Sequence, residues 1–411
     1  MKLVSLTAAQ DRLHVYAFFV VAMFALGRVQ PAIDLSADYI ACRQAALGQW
    51  SQIYLHHGPL FGAVMSPERW SRMQHVATAE PYLSDYIQTP AFAWALQPIC
   101  RTLDWRGFVA LNALVEGLSL AATAEIVARR WAPRFLSPIW MTALLAGVLC
   151  LEPTRAGLSM GQIPFLMLLF MVAALATGGK DKAAAGLALS LPAAVKLEPG
   201  ALVFHLVAAR RWRAVAAFAA ASAALVALGA SVGGLATFTA YLDVLRGISN
   251  NVVVMLHDQS LAAALTPASG AALERSAAAH PDFAPWLRWL SAAATIGSAV
   301  VGGLVARREG REAEGACISL VGVTMFAPLA WDQYFVTLVP ALMVLLQRAR
   351  PWRWAAALLI FALAALPLSA FQSWSPAPHL AFRSLFVAGV VALVALACAA
   401  RGGAPTPEAR S

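Results

Sequence analysis

The sequence predicts an all-α polytopic membrane protein: a bundle of about 12 transmembrane helices (11–13) with a long first periplasmic loop that carries short interfacial helices. Three observations predict it. The 411 residues are 60% hydrophobic and 12% charged, against about 25% charged in soluble domains, and mean hydropathy is +0.67. Apolar runs of spanning length recur along the chain. Short basic clusters separate them, as in cytoplasmic loops. The formal charge of +9 is therefore assigned to those loops, and no nucleic-acid partner is expected.

The runs lie at 13–29, 107–128, 137–153, 160–177, 183–209, 213–231, 286–306, 313–330, 333–347, 352–371 and 379–400. The first lacks a small-residue cleavage site and is read as a retained helix. The piece 88–104 is short and holds two prolines, which favours an interfacial helix over a span. The run 183–209 contains Pro192, Lys196, Glu198 and Pro199 and has basic clusters at both ends, so it reads as a broken pair that enters and returns. The clusters "RRWAPR" (129–134), "KDK" (180–182), "RRWR" (210–213), "RREGR" (307–311) and "RARPWR" (348–353) are expected on the cytoplasmic side. That places 30–106 and 232–285 on the periplasmic side, as loops too long for plain connections. Residues 1–400 then form one transmembrane domain, followed by a disordered cytoplasmic tail, 401–411. The five cysteines have no metal-like spacing and read as small hydrophobes.

Polar residues next to lipid need a reason. Asp34 follows the first span. Position alone leaves it open between a cap and a general base. Asp38 reads as a first-turn acid of a helix capped by Ser36, with Tyr39, Cys42 and Ala46 at helical spacing. Lys196 is either snorkelling, paired with Glu198, or placed to meet a phosphate. Arg155, Gly161 and Gln162 sit where an apolar helix opens, and suit an anion or hydroxyl contact as well as a plain interhelical hydrogen bond. His257, Asp258, Gln259 and Ser260 precede a short apolar run; one of them suffices as an N-cap, leaving the others unexplained. Trp331, Asp332, Gln333 and Tyr334 interrupt two runs. An interfacial turn accounts for the aromatics better than for the acid and the amide. Glu125 is expected to pair with Arg129. Glu116 lies nine residues earlier, about 180° round the helix, and has no evident partner. All five leading clusters fall on one face under the charge-derived topology.

In order and spacing these clusters resemble glycosyltransferase family 87, whose members include polyprenyl-phosphate-mannose-dependent mannosyltransferases of the C-type membrane glycosyltransferase (GT-C) fold. The resemblance rests on Asp34-Leu35-x-x-x-Tyr39 with Gly48 and Tyr54, on Gly161-Gln162, on Lys196-x-x-Pro199 before "RRWR", on Gln259-Ser260, and on Trp331 shortly after a Pro-Leu pair. It spans about 30–345. It implies a GT-C-like bundle in a bacterial inner (plasma) membrane with its active site facing the periplasm. The implied reaction moves a sugar, mannose or another hexose or a pentose, from a polyprenyl-phosphate donor to a lipid or glycan acceptor. Asp34 would be the catalytic base. Lys196 and Arg155 would bind the donor phosphate. Tyr39, Gln162, His257, Asp258, Gln259, Trp331, Asp332, Gln333 and Tyr334 would shape the sugar and acceptor pocket. No cofactor is expected, and a divalent metal is not required. Two departures stand out. Tyr86 and Pro90 are separated where the family often pairs prolines after a Tyr. Asp332 and Gln333 follow Trp331 where the family often has His, and Asp332 is thereby a second candidate base.

The runner-up is a transporter or flippase for a lipid-linked or anionic substrate, for which Lys196 and Glu198 in a broken helix are the supporting feature. A scaffold without chemistry leaves the co-sided clusters unexplained.

Overall fold

The structure, a computed structural model, describes residues 2–54, 86–178, 180–250, 252–254, 257–265, 278–280, 285–368 and 383–401. The expected disordered tail, apart from Arg401 at the end of the last helix, and the residues 55–85 of the first loop lie outside them.

Helices dominate. The chain opens with α1 (Lys2–Gly27), then α2 (Ile33–Ala46), a 3-10 turn (Trp50–Gln52) and α3 (Pro90–Thr102). At 13 residues, α3 reaches only about 20 Å, short of the ~30 Å hydrocarbon core. Next come α4 (Trp105–Arg130), α5 (Pro138–Leu149), α6 (Glu152–Met160), α7 (Pro164–Leu175) and α8 (Ala183–Val195). The run 183–209 breaks where expected. Lys196 is extended (φ −138°, ψ 142°), and a 3-10 turn (Glu198–Leu202) leads into α9 (Val203–Ala208). The chain continues through α10 (Trp212–Asn250), α11 (Leu261–Leu265), α12 (Pro285–Ala306), α13 (Glu312–Phe326), a 3-10 turn (Asp332–Thr337), α14 (Leu338–Leu346), α15 (Pro351–Ala365) and α16 (Ser384–Arg401). The strands among the described residues are β1 (Val252–Val254) and β2 (Ala278–His280), an antiparallel pair with Val253 opposite Ala279.

Helix length and composition alone do not reach the expected dozen spans. Among the described residues, four helices are long and apolar enough to cross a membrane alone, or five if α6 and α7 count as one bent span. The reason is local. Proline, Lys196 and the 161–163 break cut several apolar runs into helices of 9 to 15 residues, below the ~20 a span needs. Within the stretch expected as a loop at 232–285, the described residues start out helical. α10 runs on to Asn250, turning at Gly234, whose φ of 76° an L-residue rarely adopts.

The ends of the bundle are chemically distinct. The basic clusters interlock at one of them. Arg134 stacks on Trp140 and Trp354, with its guanidinium 3.8 and 5.0 Å from the ring centroids. Asp181 accepts hydrogen bonds from the Arg213 and Ala214 amides at 2.9 and 3.0 Å, and Arg211 reaches Glu312 at 3.5 Å. The expected Glu125–Arg129 pair forms at 2.5 Å. Elsewhere α12 and α13 pack as a close hairpin; a Cβ on Gly302 would come within 2.4 Å of the Gly315 carbonyl oxygen.

The smaller of two apolar cores lies around α2, α3, the start of α4 and the Tyr241–Val244 turn of α10. Here the cysteine reading is corrected. Cys42 and Cys100 are joined by a disulfide across α2 and α3, with Cα atoms 6.4 Å apart and 58 residues between them. That separation gives no pairing signal; only the packing of the two helices brings the thiols together.

Candidate active site

α2 begins three residues before the expected Ser36 cap. Ala32 takes the N-cap position at φ 51°, and the Ser36 hydroxyl instead donates to the Ile33 carbonyl at 2.6 Å. Asp34 therefore stands in the first turn, where the helix dipole favours an anion. Asp38 is not a first-turn acid. It falls one turn later and is buried.

The break between α6 and α7 is held against this helix start. The two helices meet at 119°. Gly161 closes α6 at φ +70°, and a Cβ there would sit 2.8 Å from both the Ala32 and Leu35 Cβ atoms. From α4, the buried Glu116 carboxylate accepts the Phe165 and Leu166 amides at 2.9 and 3.1 Å, capping α7. This supplies the partner that Glu116 lacked in the sequence. Asn112 adds a hydrogen bond to the Gly161 carbonyl at 3.1 Å.

Gln162 projects from that break. Its amide Nε2 donates to Asp34 Oδ2. Its Oε1 accepts from Gln333 Nε2 at 3.0 Å and from the Tyr334 hydroxyl. Lys196 Nζ lies 4.0 Å from the Tyr334 ring centroid, a cation–π contact. The field of Lys196 also reaches Asp34, Asp38 and Glu198. Residues from four separate stretches of chain thus form one chain of contacts, from the carboxylate of Asp34 to the ammonium of Lys196.

A strap completes the wall. Residues 257–259 run antiparallel to 330–332: Gln259 N donates to Ala330 O at 2.7 Å and Asp332 N to His257 O at 2.9 Å. His257 Nδ1 meets Asp332 Oδ2 at 2.6 Å. Burial lowers the His257 pKa, but the hydrogen bond and charge of Asp332, with Glu152 and Asp34 behind it, raise it more, so the net shift is upward. The Asp258 carboxyl is turned to structure. It accepts from Ser260 N at 3.0 Å, the Ser260 hydroxyl at 3.2 Å and Ala330 N at 3.1 Å, while Arg383 binds its carbonyl. Burial, opposed by Arg383 and these donors, pushes its pKa up to about 6.

Lys196 borders two cavities. The larger, ≈ 410 Å³, is mostly apolar and runs between α10, α12 and the 196–204 stretch, with Ile87, Tyr241, Ala292, Ile296 and Leu329 in its walls. The smaller lies on the Tyr334 side, against Met167, Met171 and Glu198. Among the described residues, no group of three or more His, Cys, Asp or Glu is arranged to hold a metal ion.

Of the residues singled out in the sequence, Asp34, Gln162, Lys196, Gln333 and Tyr334 are brought together, with His257 and Asp332 beside them. Arg155 is not. It forms an ion pair with Glu152 at 2.7 Å and donates to the Ala365 carbonyl at 3.2 Å. Tyr39 faces Trp105 and Phe108 and donates to the Leu103 carbonyl at 3.3 Å, bracing α2 on α4. Asp258, Gln259 and Trp331 build the strap. Sequence reading missed Glu116 as a cap and Asp38 as a buried carboxyl; for Asp38 the signal was its spacing of four from Asp34, which puts both on one helix face.

The family model of glycosyltransferase family 87 matches residues 86–331, more than half of the chain. Asp34 and Asp38 lie before the matched stretch, and Asp332, Gln333 and Tyr334 directly follow it. No curated protein matches the chain.

Proposed function

Because the chain belongs to glycosyltransferase family 87 and is a membrane glycosyltransferase, we propose that it moves a sugar from a polyprenyl-phosphate donor to a lipid or glycan hydroxyl, with Asp34 as general base. The observation that carries this is the linked set Asp34–Gln162–Tyr334–Lys196, whose Lys196 also lines a mostly apolar cavity. A base and a cation held on one scaffold suit a substitution in which a proton leaves one partner and negative charge grows on the other.

In this reading the polyprenyl chain lies in the apolar cleft and its phosphate meets Lys196. The acceptor hydroxyl approaches Asp34. Its oxygen attacks the anomeric carbon as the bond to the phosphate oxygen breaks; the electron pair leaves with the phosphate and the proton passes to Asp34. In-line attack inverts the anomeric centre. Gln162 fixes the orientation of the Asp34 carboxylate, and Gln333 and Tyr334 fix Gln162. The Asp332 carboxylate, spent on His257, serves as the orienting partner of an imidazole and not as the base. Arg155, tied to Glu152, leaves the phosphate to Lys196. No metal is needed in these steps.

The site is placed on the periplasmic face of a bacterial inner membrane. Two features support that side. The basic clusters interlock at one end, as cytoplasmic loops do, and the helix that carries Asp34 is held by a disulfide, which persists in oxidising compartments.

The test uses purified protein in detergent with polyprenyl-phosphate sugars and membrane-lipid acceptors. Wild type transfers sugar, and Asp34→Asn is inactive while melting like wild type. Inactivity confined to Asp332→Asn would move the base there. Labelled lipid crossing a reconstituted bilayer with no donor consumed would replace the transferase by a flippase.

A further inference from the structure

Asp38 is a second carboxyl on the face of α2 that carries Asp34, one helical turn on. It is 4% exposed, and its Oδ1 has no hydrogen-bond partner among the described residues. A buried acceptor left this way is costly as an anion. Two charges act on it, Asp34 and Lys196, and Tyr86 lies near it from the segment leading into α3. Charged groups on the other elements packed around α2 are engaged or turned away. Arg101 of α3 binds the Ala46 carbonyl and Gln97, Arg155 of α6 pairs with Glu152, Asp104 caps α4 at Gly107, and Arg106 is exposed. Arg43 of α2 itself binds the Tyr39 hydroxyl.

Lys196 is the shared neighbour. Three carboxyls, Glu198, Asp34 and Asp38, act on this single ammonium. With all of them ionised, the cluster is net negative by two charges and repels any phosphate. One proton on the most deeply buried carboxyl halves that excess and removes one of the three competitors for the ammonium. Burial and the neighbouring Asp34 charge both push the Asp38 carboxyl above the usual carboxylate range, with Lys196 opposing.

We propose that Asp38 is a positioning residue that works as a neutral carboxylic acid, keeping the Lys196 ammonium available to an anionic phosphate beside Asp34. This rests on the reading of Lys196 as the phosphate contact. It assigns Asp38 a role opposite to that of Asp34, four residues away: one carboxyl takes a proton during turnover, the other holds its proton throughout.

Two readouts test it on the full-length protein in detergent. Infrared spectra at neutral pH are expected to show a protonated-carboxyl C=O stretch in wild type and Asp34→Asn that is missing from Asp38→Asn. Binding of undecaprenyl phosphate is expected to keep its neutral-pH Kd within about threefold in Asp38→Asn, with the alkaline loss of affinity displaced to higher pH. Absence of the infrared difference overturns the proposal. So does a tightening of about tenfold or more in Asp38→Asn at neutral pH, which would mean that an ionised Asp38 had been competing for Lys196. If both readouts behave as expected but wild type transfers no sugar, neutral Asp38 stands and the transferase reading falls.

Discussion

Asp34 is gripped through one carboxylate oxygen by a glutamine that is itself gripped twice. A base held this way has its direction set before substrate arrives, which is where general-base catalysis gains most. Asp34→Asn keeps the shape and removes the proton acceptor, so sugar transfer is expected to fall roughly 10²- to 10⁴-fold with little change in donor binding. A loss confined to KM would contradict the role. Beside it, the His257–Asp332 pair makes a prediction about pH. The pKa of His257 is raised in the fold above its ordinary 6.5. The pair therefore adds its full stability below about pH 6.5 and loses it as pH rises through the raised value. The melting-temperature gap between wild type and His257→Gln should be widest in acid and shrink on the alkaline side, and Asp332→Asn should abolish the trend. A gap that stays flat with pH would show that His257 is not charged by Asp332. At this scale the sequence exposed residue types but not pairings. Asp34, Gln162, Lys196 and Tyr334 stood out as polar groups near lipid, whereas the commitment of Arg155 to Glu152 and of Asp258 to Ser260 and Ala330 depends on which turn each occupies.

Helix breaks, more than helices, build the site. Gln162 comes from the 119° bend between α6 and α7 and Lys196 from the interruption after α8. Breaks marked by Gly, Pro or a charge inside an apolar run are legible in sequence: the one at Lys196 was read as a break, and Gly161-Gln162 as the opening of a helix. What fixes their angle was not, because it comes from another helix. Glu116, nearly 50 residues upstream, satisfies the Phe165 and Leu166 amides at the start of α7. Glu116→Ala leaves two buried donors unpaired and is expected to cost on the order of 2–4 kcal/mol of stability. It should also lower transfer by moving Gln162 away from Asp34. An Ala variant that melts like wild type would remove Glu116 from this role. The disulfide is the second fixture of this kind, joining the helix that carries Asp34 to α3. Replacing Cys42 and Cys100 by Ser is expected to cost about 2–5 kcal/mol, and dithiothreitol should depress the thermal stability of wild type but not of the double variant. Equal responses of both proteins to the reductant would exclude the bond.

Across the whole molecule, the basic clusters interlock at one end, while the polar network beside α2 meets a mostly apolar cavity through Lys196. The bundle class and the grouping of basic loops were readable from charge and hydropathy. The cleft was not, since its walls come from Ile87, α10, α12 and the 196–204 stretch, segments more than 200 residues apart in places. A mostly apolar cavity with Lys196 in its lining suits the proposed amphiphile with a phosphate head. Its contribution to donor binding should then scale with buried chain, at about 0.8 kcal/mol for each CH₂ removed from water. Ala292 lies in its wall, away from Asp34 and its partners. Ala292→Trp should fill part of the cleft, and displacing as few as two methylenes is worth roughly tenfold in affinity. The expected result is a KM for a long polyprenyl-phosphate sugar raised about tenfold or more, with kcat changed little, because the lost contacts are the same in ground and transition states. A donor with a chain too short to enter the cleft should show no such rise. Equal effects on long and short donors would place the lipid elsewhere and remove the support for Lys196 as the proposed phosphate contact.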